Sequence, residues 1–135
     1  MMAYGNIELQ AYKEQAINTM TAGEMLILLY DELVKRLKKA KILAGKSDFE
    51  NFEAEIKRCQ EIVSYLNINL DRKFEISKNL SSLYNFFNYQ LIRVNASRNM
   101  ELIDELLPLV EDLRETYREA DKLSKVQTGI GGTGG

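Results

Sequence analysis

Between residues 20 and 125 the sequence is almost free of residues that break helices. Its single proline is Pro108, and only two of its eight glycines, Gly23 and Gly45, fall in this stretch. Because proline and glycine destabilise helix interiors more than any other residues, the stretch predicts helix nearly throughout. Five further glycines crowd into residues 129–135, so we expect a disordered tail over residues 126–135.

Apolar residues in the first half of this stretch recur at steps of three and four, as they do along one face of a helix. The first series follows Thr21 and Glu24, which have the spacing of a capping box, and it reaches a stop signal at Gly45. The second series follows Ser47 and Glu50, which repeat that spacing, and it fades near residue 70. Two helices are therefore predicted here, each with its own N-terminal cap.

The second half of the stretch contains two more such series. One begins at Ile76, with Ser77 or a neighbour as its candidate cap, and ends near Ala96. The other begins after Asn99 and fades near residue 123. Pro108 lies inside this last series, so we expect the fourth helix to be kinked or locally broken there.

Short connections place successive helices side by side and antiparallel. The predicted fold is therefore an all-α, antiparallel, up-down-up-down four-helix bundle over residues 21–125, preceded by a mobile arm over residues 1–20. The charges fit this arrangement, because the end of helix one is basic and the first part of helix four is acidic. The basic residues are Lys35, Arg36, Lys38, Lys39 and Lys41, and the acidic ones are Glu101, Asp104, Glu105, Glu111 and Asp112.

The composition argues against catalysis. Without histidine the chain cannot form a Ser-His-Asp or Cys-His pair, a His-bearing zinc site or the Glu-x-x-His pairs of di-iron bundles. No phosphate-binding glycine loop precedes a helix. Cys59 lies on the apolar face of helix two, which indicates a buried structural thiol. We expect no enzyme activity, no cofactor and no metal.

The sequence also bears on location and on two classes of partner. The net charge of −2 argues against nucleic-acid binding, which needs a basic surplus. No apolar run is long enough for stable insertion into a membrane, and the first ten residues lack the features of a signal peptide. With a single cysteine, these features predict a protein of the reducing cytoplasm.

Two segments carry more apolar residues than a bundle core needs. Residues 25–30 are apolar all round the helix, and residues 83–89 nearly so. The surplus can be covered by the arm, which is itself partly apolar, or by a partner. It can also thicken the core, or bury itself between two copies of the chain. We therefore expect a monomer or a weak homodimer.

One series of residues resembles the opening signature of the FliS family of flagellar chaperones. The series consists of Tyr12, Ile17, Thr19 and a capped helix start, followed by the Leu-Tyr-Asp run at residues 29–31. The likeness continues through Ala40, residues 62–71, Asn79, Leu80, Leu83, Tyr84 and Ala96. The chain departs from the family pattern at Ala22, Glu32 and Tyr117, where proline, glycine and tryptophan are common.

The resemblance implies a function without chemistry. Members of this family bind the disordered C-terminal segment of flagellin in the bacterial cytoplasm, prevent its premature polymerisation and help to pass it to the flagellar export apparatus. It implies that the arm, with Tyr12 and Ile17, packs on the bundle as a lid and shifts when flagellin arrives. Four further residues are candidate contacts with flagellin: Leu26, Tyr30, Tyr84 and Tyr89. If Tyr30 and Tyr84 instead point inward, their replacement would destabilise the fold, and any loss of binding would be secondary.

Overall fold

The computed structural model describes the backbone of residues 21–134 and the side chains of residues 21–126. The described chain forms four helices: α1 (Ala22–Gly45), α2 (Phe49–Ile68), α3 (Ile76–Ser97) and α4 (Met100–Gly134). The arm over residues 1–20 lies outside the described residues. The helix count and the all-α class predicted from apolar periodicity are therefore confirmed.

Each helix packs against its neighbours in the chain, and α1 also packs against α4. Cross-helix contacts show the antiparallel order, since Lys41 contacts Asp104 near one end of the α1–α4 pair and Glu24 contacts Lys125 near the other. In α2 and α3 the amide of Asn67 donates to that of Asn85 over 3.1 Å. The up-down-up-down bundle is confirmed.

The core runs along the bundle axis and is almost entirely apolar. Its fully buried side chains come from all four helices and keep the predicted steps of three and four. The largest are Tyr30, Leu33, Leu37, Phe52, Ile56, Tyr84, Phe87, Leu91, Ile103 and Leu106. Cys59 is also fully buried. Burial, with the charge of Glu55, raises the pKa of the thiol to about 12, so the thiol stays protonated at neutral pH, as expected for a structural cysteine.

Two of the four predicted N-terminal caps are confirmed. The Thr21 hydroxyl accepts from the Glu24 backbone N–H over 3.1 Å. The Glu24 carboxylate does not complete the box, because it pairs with Lys125 at 2.9 Å. At α4 the side chain of Asn99 accepts from the Glu101 N–H over 3.0 Å, as a cap should.

The other two predicted caps, Ser47 and Ser77, are wrong. Ser47 has a φ of 58° and forms the turn, while the next residue, Asp48, caps α2. Ser77 is buried inside the first turn of α3. No side chain caps α3, because the preceding turn already accepts the free N–H groups: Ser77 donates to the Phe74 carbonyl, and Lys78 to that of Glu75.

Helix α4 is not broken at Pro108, contrary to one form of the prediction. Pro108 lies on the exposed side of α4, and so does Asp104, whose carbonyl loses its usual N–H partner. Water can satisfy that carbonyl, so the helix continues. The helical backbone also runs beyond residue 125 to Gly134, where the sequence predicted a disordered tail over residues 126–135.

The basic end of α1 has two acidic partners. Lys41 contacts Asp104 of α4, as the charge pattern predicted. Arg36 and Lys39 instead contact Glu55 of α2, at 3.0 and 3.2 Å. Glu55 is buried, so this part of the basic cluster neutralises an acid in the bundle and is not free for a distant partner.

Candidate functional site

The two ends of the bundle differ in how the helices are joined. At the closed end, residues 46–48 link α1 to α2 and residues 98–99 link α3 to α4. At the open end, α1 begins, α2 ends and residues 69–75 form a longer connection to α3. Helix α4 passes this end and continues beyond the start of α1. The helices are therefore joined by tight turns at the closed end and by a longer connection at the open end.

An apolar cleft with a volume of about 540 Å³ lies at the open end. The first turns of α1 form one wall and the end of α2 forms the other, while Tyr84 and Tyr117 reach it from α3 and α4. Its lining is Thr21, Ala22, Met25, Leu26, Leu29, Tyr65, Leu66, Asn69, Leu70, Asp71, Tyr84 and Tyr117. Concave, mainly apolar sites with a few polar groups are the usual form of a binding site.

Three tyrosines meet beneath this cleft, and we call them the tyrosine cluster: Tyr30, Tyr84 and Tyr117. The hydroxyls of Tyr30 and Tyr84 are hydrogen-bonded to each other, and their side chains are 0% and 1% exposed. The Tyr117 ring stacks on Tyr30 with centroids 5.4 Å apart.

Burial raises the pKa of all three phenols, and it raises that of Tyr84 to about 12. These phenols therefore stay neutral at physiological pH. The tyrosine cluster beneath the cleft therefore carries no charge, which suits an apolar segment above it better than an ionic ligand.

A second hollow, with a volume of about 800 Å³, lies on the other side of α1, between α1 and α4. Its lining is Thr21, Ala22, Gly23, Leu26, Tyr117, Ala120, Asp121, Ser124 and Lys125. Four of these residues also line the cleft: Thr21, Ala22, Leu26 and Tyr117. The start of α1 is thus a ridge with an apolar depression on each side.

The Leu-Tyr-Asp run at residues 29–31 has a structural explanation at this end. Leu29 lines the cleft, and Tyr30 enters the tyrosine cluster. Asp31 accepts from Arg114 at 3.4 Å and from Arg118 at 3.0 Å, which ties α1 to α4. Three consecutive residues therefore supply part of the cleft wall, one member of the buried cluster beneath it and the link to α4.

Further apolar side chains lie exposed on the outer surfaces of α2, α3 and their connection. They are Tyr65, Ile68, Phe74, Ile76, Phe86, Tyr89 and Ile92. In contrast, the apolar residues 25–29 of α1 are partly buried. The suggestion that surplus apolar residues thicken the core therefore fits Leu83 and Phe87 of α3, which pack in the core, but not Phe86 and Tyr89, which face solvent.

The six residues predicted to contact a partner lie in different places. Tyr12 and Ile17 are outside the described residues. Leu26 lines both the cleft and the second hollow. Tyr89 is 60% exposed on α3, with the Arg93 guanidinium 5.9 Å from its ring centroid. Tyr89 belongs to the outer surface and does not line the cleft.

Tyr30 and Tyr84 point inward, which is one of the two orientations that the sequence left open for them. Tyr30 is in step with Leu33 and Leu37, so it faces the core with them. Tyr84 is likewise in step with Phe87 and Leu91, although it also reaches the cleft floor. Neither can be reached from the outside of the bundle as it stands, and a role for either in binding stays a prediction.

Tyr117, Met25 and Leu70 line the cleft but were not predicted as site residues from the sequence. Met25 lies in the segment recognised as apolar all round, so the signal was present but not specific. Tyr117 looked like one more member of the α4 series. Its place between the two depressions depends on how α4 aligns with α1, which no local pattern shows.

The described part of the chain shows neither a metal centre nor a membrane span. Its His, Cys, Asp and Glu side chains form no group of three or more that could hold a metal ion. None of its helices combines the length and the apolar character that crossing a bilayer requires. The open-end cleft is therefore the leading candidate site in this part of the chain.

Comparison with known proteins identifies related chains. A family model described as flagellar protein FliS matches residues 5–124. The flagellar secretion chaperone FliS of Bacillus subtilis (strain 168) is 27% identical over 110 residues, covering 82% of this chain and 83% of that protein. The protein of the same name from Escherichia coli (strain K12) is 19% identical over 110 residues, covering 79% and 81%.

A solved structure titled "Crystal structure of flagellar chaperone from bacteria" has the same fold. It superposes with a TM-score of 0.73 at 19% identity and covers 85% of this chain and 98% of that one. At that identity the likeness supports the bundle architecture alone. The family model spans nearly the whole chain, and on that match the chain belongs to the FliS family of flagellar proteins.

Proposed function

We propose that this protein is a cytoplasmic export chaperone for flagellin. It binds the disordered C-terminal segment of flagellin, prevents premature polymerisation and assists delivery to the flagellar export apparatus. Membership of the FliS family supports a role in the flagellar system. Two relatives are named flagellar secretion chaperones. The observation that carries the proposal is the apolar cleft at the open end of the bundle.

The cleft suits one face of an amphipathic helix. Such helices insert apolar anchors at positions i, i+3, i+4 and i+7 into grooves between helices. Met25, Leu26 and Leu29 lie within about one turn of α1 on one wall of the cleft, and Leu66 of α2 and Leu70 just beyond its end lie on the other. Aliphatic side chains of a bound segment can therefore pack between them, above the neutral tyrosine cluster.

The outer surfaces of α2 and α3 extend the area available to a long segment. Ordering a disordered segment opposes binding, so tight binding needs a large buried surface. The exposed Tyr65 belongs both to the cleft lining and to the outer surface of α2, and Ile68 follows it on the same helix. A segment that leaves the cleft over α2 would meet these side chains first, and Phe86 and Tyr89 of α3 are further apolar contacts on the outside.

The arm, residues 1–20, is proposed as a lid that competes with flagellin. It joins the bundle at Thr21, and Thr21 and Ala22 line the cleft, so the arm begins at the mouth of the site. Tyr12 and Ile17 are the side chains proposed to occupy the cleft when flagellin is absent. A lid of this kind lowers the apparent affinity by the fraction of molecules in which the site is covered.

No bond is made or broken in this function. The protein acts by covering apolar surface on flagellin, and release requires only that the complex dissociates or that another component competes. The chain is therefore proposed to work without a nucleotide or a metal. It is expected to bind as a monomer, with weak dimerisation as the competing use of its exposed apolar surface.

The test is isothermal titration of the chain with a synthetic flagellin C-terminal segment. We expect saturable one-to-one binding with a negative heat-capacity change, because apolar surface is buried. Tyr12→Ala and deletion of residues 1–18 should each tighten binding if the arm is a lid. A folded, monomeric sample that does not bind the segment would contradict the flagellin assignment.

A matched pair of substitutions on α1 locates the site. Leu26→Ser alters the cleft, whereas Ile42→Ser makes a similar change at an exposed position near the closed end. We expect Leu26→Ser to weaken binding at least about tenfold, since burying a hydroxyl without a partner is unfavourable, and Ile42→Ser to leave affinity unchanged. Equal effects would place the contact elsewhere. Circular dichroism confirms that both variants fold.

A further inference from the structure

The last described turns of α4 are held to the bundle differently from the rest of that helix. From residue 118 to residue 126 no side chain of α4 is buried. Val110 is the last fully buried residue of the helix, followed by the partly buried Leu113 and Tyr117. Segments with few buried apolar contacts open at lower free energy than the core. Residues 118–126 therefore need polar contacts to stay against α1.

Such a contact joins this segment to the first turn of α1. The Lys125 ammonium lies 2.9 Å from Glu24 Oε1 and 3.1 Å from Asp121 Oδ2, so it bridges the two helices. These two carboxylates raise the pKa of Lys125 and keep it charged. The helices also approach closely, since a Cβ built on Gly23 would lie 2.6 Å from Asp121 Oδ1. Only glycine fits at position 23 without displacing the Asp121 carboxylate.

This contact lies on the rim of the second hollow. Gly23, Asp121 and Lys125 line it, while Leu26 and Tyr117 form its apolar part and are shared with the cleft. Residues 120–125 of α4 form one wall of this depression. If they swing away, the second hollow widens on its α4 side, next to the Leu26 and Tyr117 side chains that it shares with the cleft.

We propose that Glu24, Lys125 and Asp121 form an electrostatic latch that holds residues 119–126 of α4, beyond the Arg118–Asp31 ion pair, against the first turn of α1 beside the second hollow. Opening the latch admits an apolar side chain of the segment bound in the neighbouring cleft. The latch itself follows from contacts within this chain. The identity of the bound segment rests on the proposed function.

Exposed ion pairs are weak, and this sets the size of the expected effect. Single exposed pairs change an equilibrium by about fivefold at most, and salt screens them. A latch of this strength keeps the segment closed in most molecules but yields to a ligand that gains apolar contacts. Raising the ionic strength and removing the Lys125 charge should therefore both make the segment open more often.

Hydrogen exchange of the free protein tests the latch without any partner. Lys125→Met removes the bridging charge, and Lys122→Met makes the same change one turn earlier, where the lysine has no ion pair among the described residues. We expect Lys125→Met to speed exchange of amides 120–126 by about twofold to fivefold and Lys122→Met to change it by less than about 1.5-fold. Raising the salt concentration should speed exchange in the wild type and in Lys122→Met but not in Lys125→Met.

Gly23→Ala provides an independent way to open the latch. Alanine favours helix over glycine, so a purely local effect would slow exchange near residue 23. The added Cβ must displace the Asp121 carboxylate, so the latch predicts faster exchange at residues 120–126. Equal exchange in Lys125→Met and Lys122→Met, or slower exchange at residues 120–126 in Gly23→Ala, would overturn the latch.

Titration with the flagellin C-terminal segment tests what the latch controls. We expect Lys125→Met to bind about twofold to fivefold more tightly than Lys122→Met. Unchanged or weaker binding, together with faster exchange, would show that the second hollow is not part of the binding groove. If the wild type does not bind the segment, the proposed function fails while the exchange data still decide the latch.

Discussion

At the closed end the chain reverses direction twice within two or three residues, and the turn between α3 and α4 packs against the start of α2. Ser47 and Arg98 both take left-handed conformations, with φ of 58° and 55°. The Arg98 guanidinium lies 4.0 Å from the Phe49 ring centroid and 3.4 Å from Glu53. At the open end a longer connection, the cleft and the second hollow replace such contacts.

The difference suggests a division of labour between stability and binding. Apolar burial along the axis and at the closed end is sufficient to hold a bundle of this length. The open end can then leave apolar side chains partly uncovered, at a cost in stability, and use them for a partner. Substitutions should therefore be costly for folding toward the closed end and costly for binding at the open end.

The largest expected effect on stability contrasts a buried residue near the closed end, Phe52, with a partly buried residue at the open end, Leu26. Phe52 is fully buried and packs edge-on against Phe49, with ring centroids 6.1 Å apart. Phe52→Ala should lower the free energy of unfolding by about 3–5 kcal/mol through lost burial and a residual cavity. Leu26→Ala, at a partly buried cleft position, should cost less than about 2 kcal/mol. Urea denaturation measures both, and similar losses would contradict the contrast.

The tyrosine cluster predicts an intermediate effect. Tyr84→Phe keeps the ring but leaves the buried Tyr30 hydroxyl with fewer partners, which should cost about 1–3 kcal/mol. Tyr89→Phe is the matched control, because Tyr89 is exposed and its hydroxyl can bond to water. Thermal denaturation at neutral pH compares the two variants. An unchanged melting temperature for Tyr84→Phe would show that the hydrogen bond between the two hydroxyls does not stabilise the fold.

The same cluster sets the alkaline limit of stability. A folded-state pKa raised from 10 to about 12 means that Tyr84 resists ionisation more in the folded than in the unfolded chain. Its contribution is therefore complete below about pH 10 and is lost as the pH rises toward about 12. Tyr84→Phe should flatten this alkaline decline in a series of urea titrations, and an unchanged decline would contradict the assignment.

Glu55 predicts a smaller, acid-dependent effect. Burial alone would raise the pKa of Glu55, but hydrogen bonds from Arg36 and Lys39 outweigh it and lower the pKa. The stability from this depressed pKa is present above the unfolded-state pKa and is lost as the pH falls through the folded-state value. Glu55→Gln should cost about 1 kcal/mol at pH 7 and nothing at low pH. Glu53→Gln is a control at a more exposed ion pair.

Ser47 gives the smallest prediction and acts only on the closed end. Because its φ of 58° favours glycine, Ser47→Gly should stabilise the protein by about 0.5–1 kcal/mol. Lys46→Gly is the matched control one residue earlier, where φ is −93°, and it should be neutral or destabilising. Equal shifts in melting temperature for both would show that the left-handed turn is not strained.

Much of the fold could be predicted from local sequence patterns. The predictions that were wrong also have local causes. The apolar steps of the four helices and the caps at Thr21 and Asn99 are fixed by neighbouring residues. Ser47 was mistaken for a cap because Asp48 beside it caps equally well, and the turn needs one residue with positive φ. Pro108 leaves α4 unbroken because it faces solvent.

The site was less predictable because it depends on the alignment of different helices. The surplus of apolar residues in α1 pointed to the region where the cleft lies, and Leu26 lines that cleft. The inward direction of Tyr30 and Tyr84, the position of Tyr117 between two depressions and the contact of Lys125 with Glu24 arise only when α1, α3 and α4 meet. No pattern within one helix contains that information.

The most direct test of this account is hydrogen exchange of the protein with and without the flagellin C-terminal segment, read along the whole bundle. The account predicts that binding protects the open end, in residues 21–29, 65–71 and 117–126, while exchange around residues 44–53 and 96–101 at the closed end is unchanged. Protection centred on the closed end, or spread evenly over both ends, would contradict the claim that the open end is the binding site.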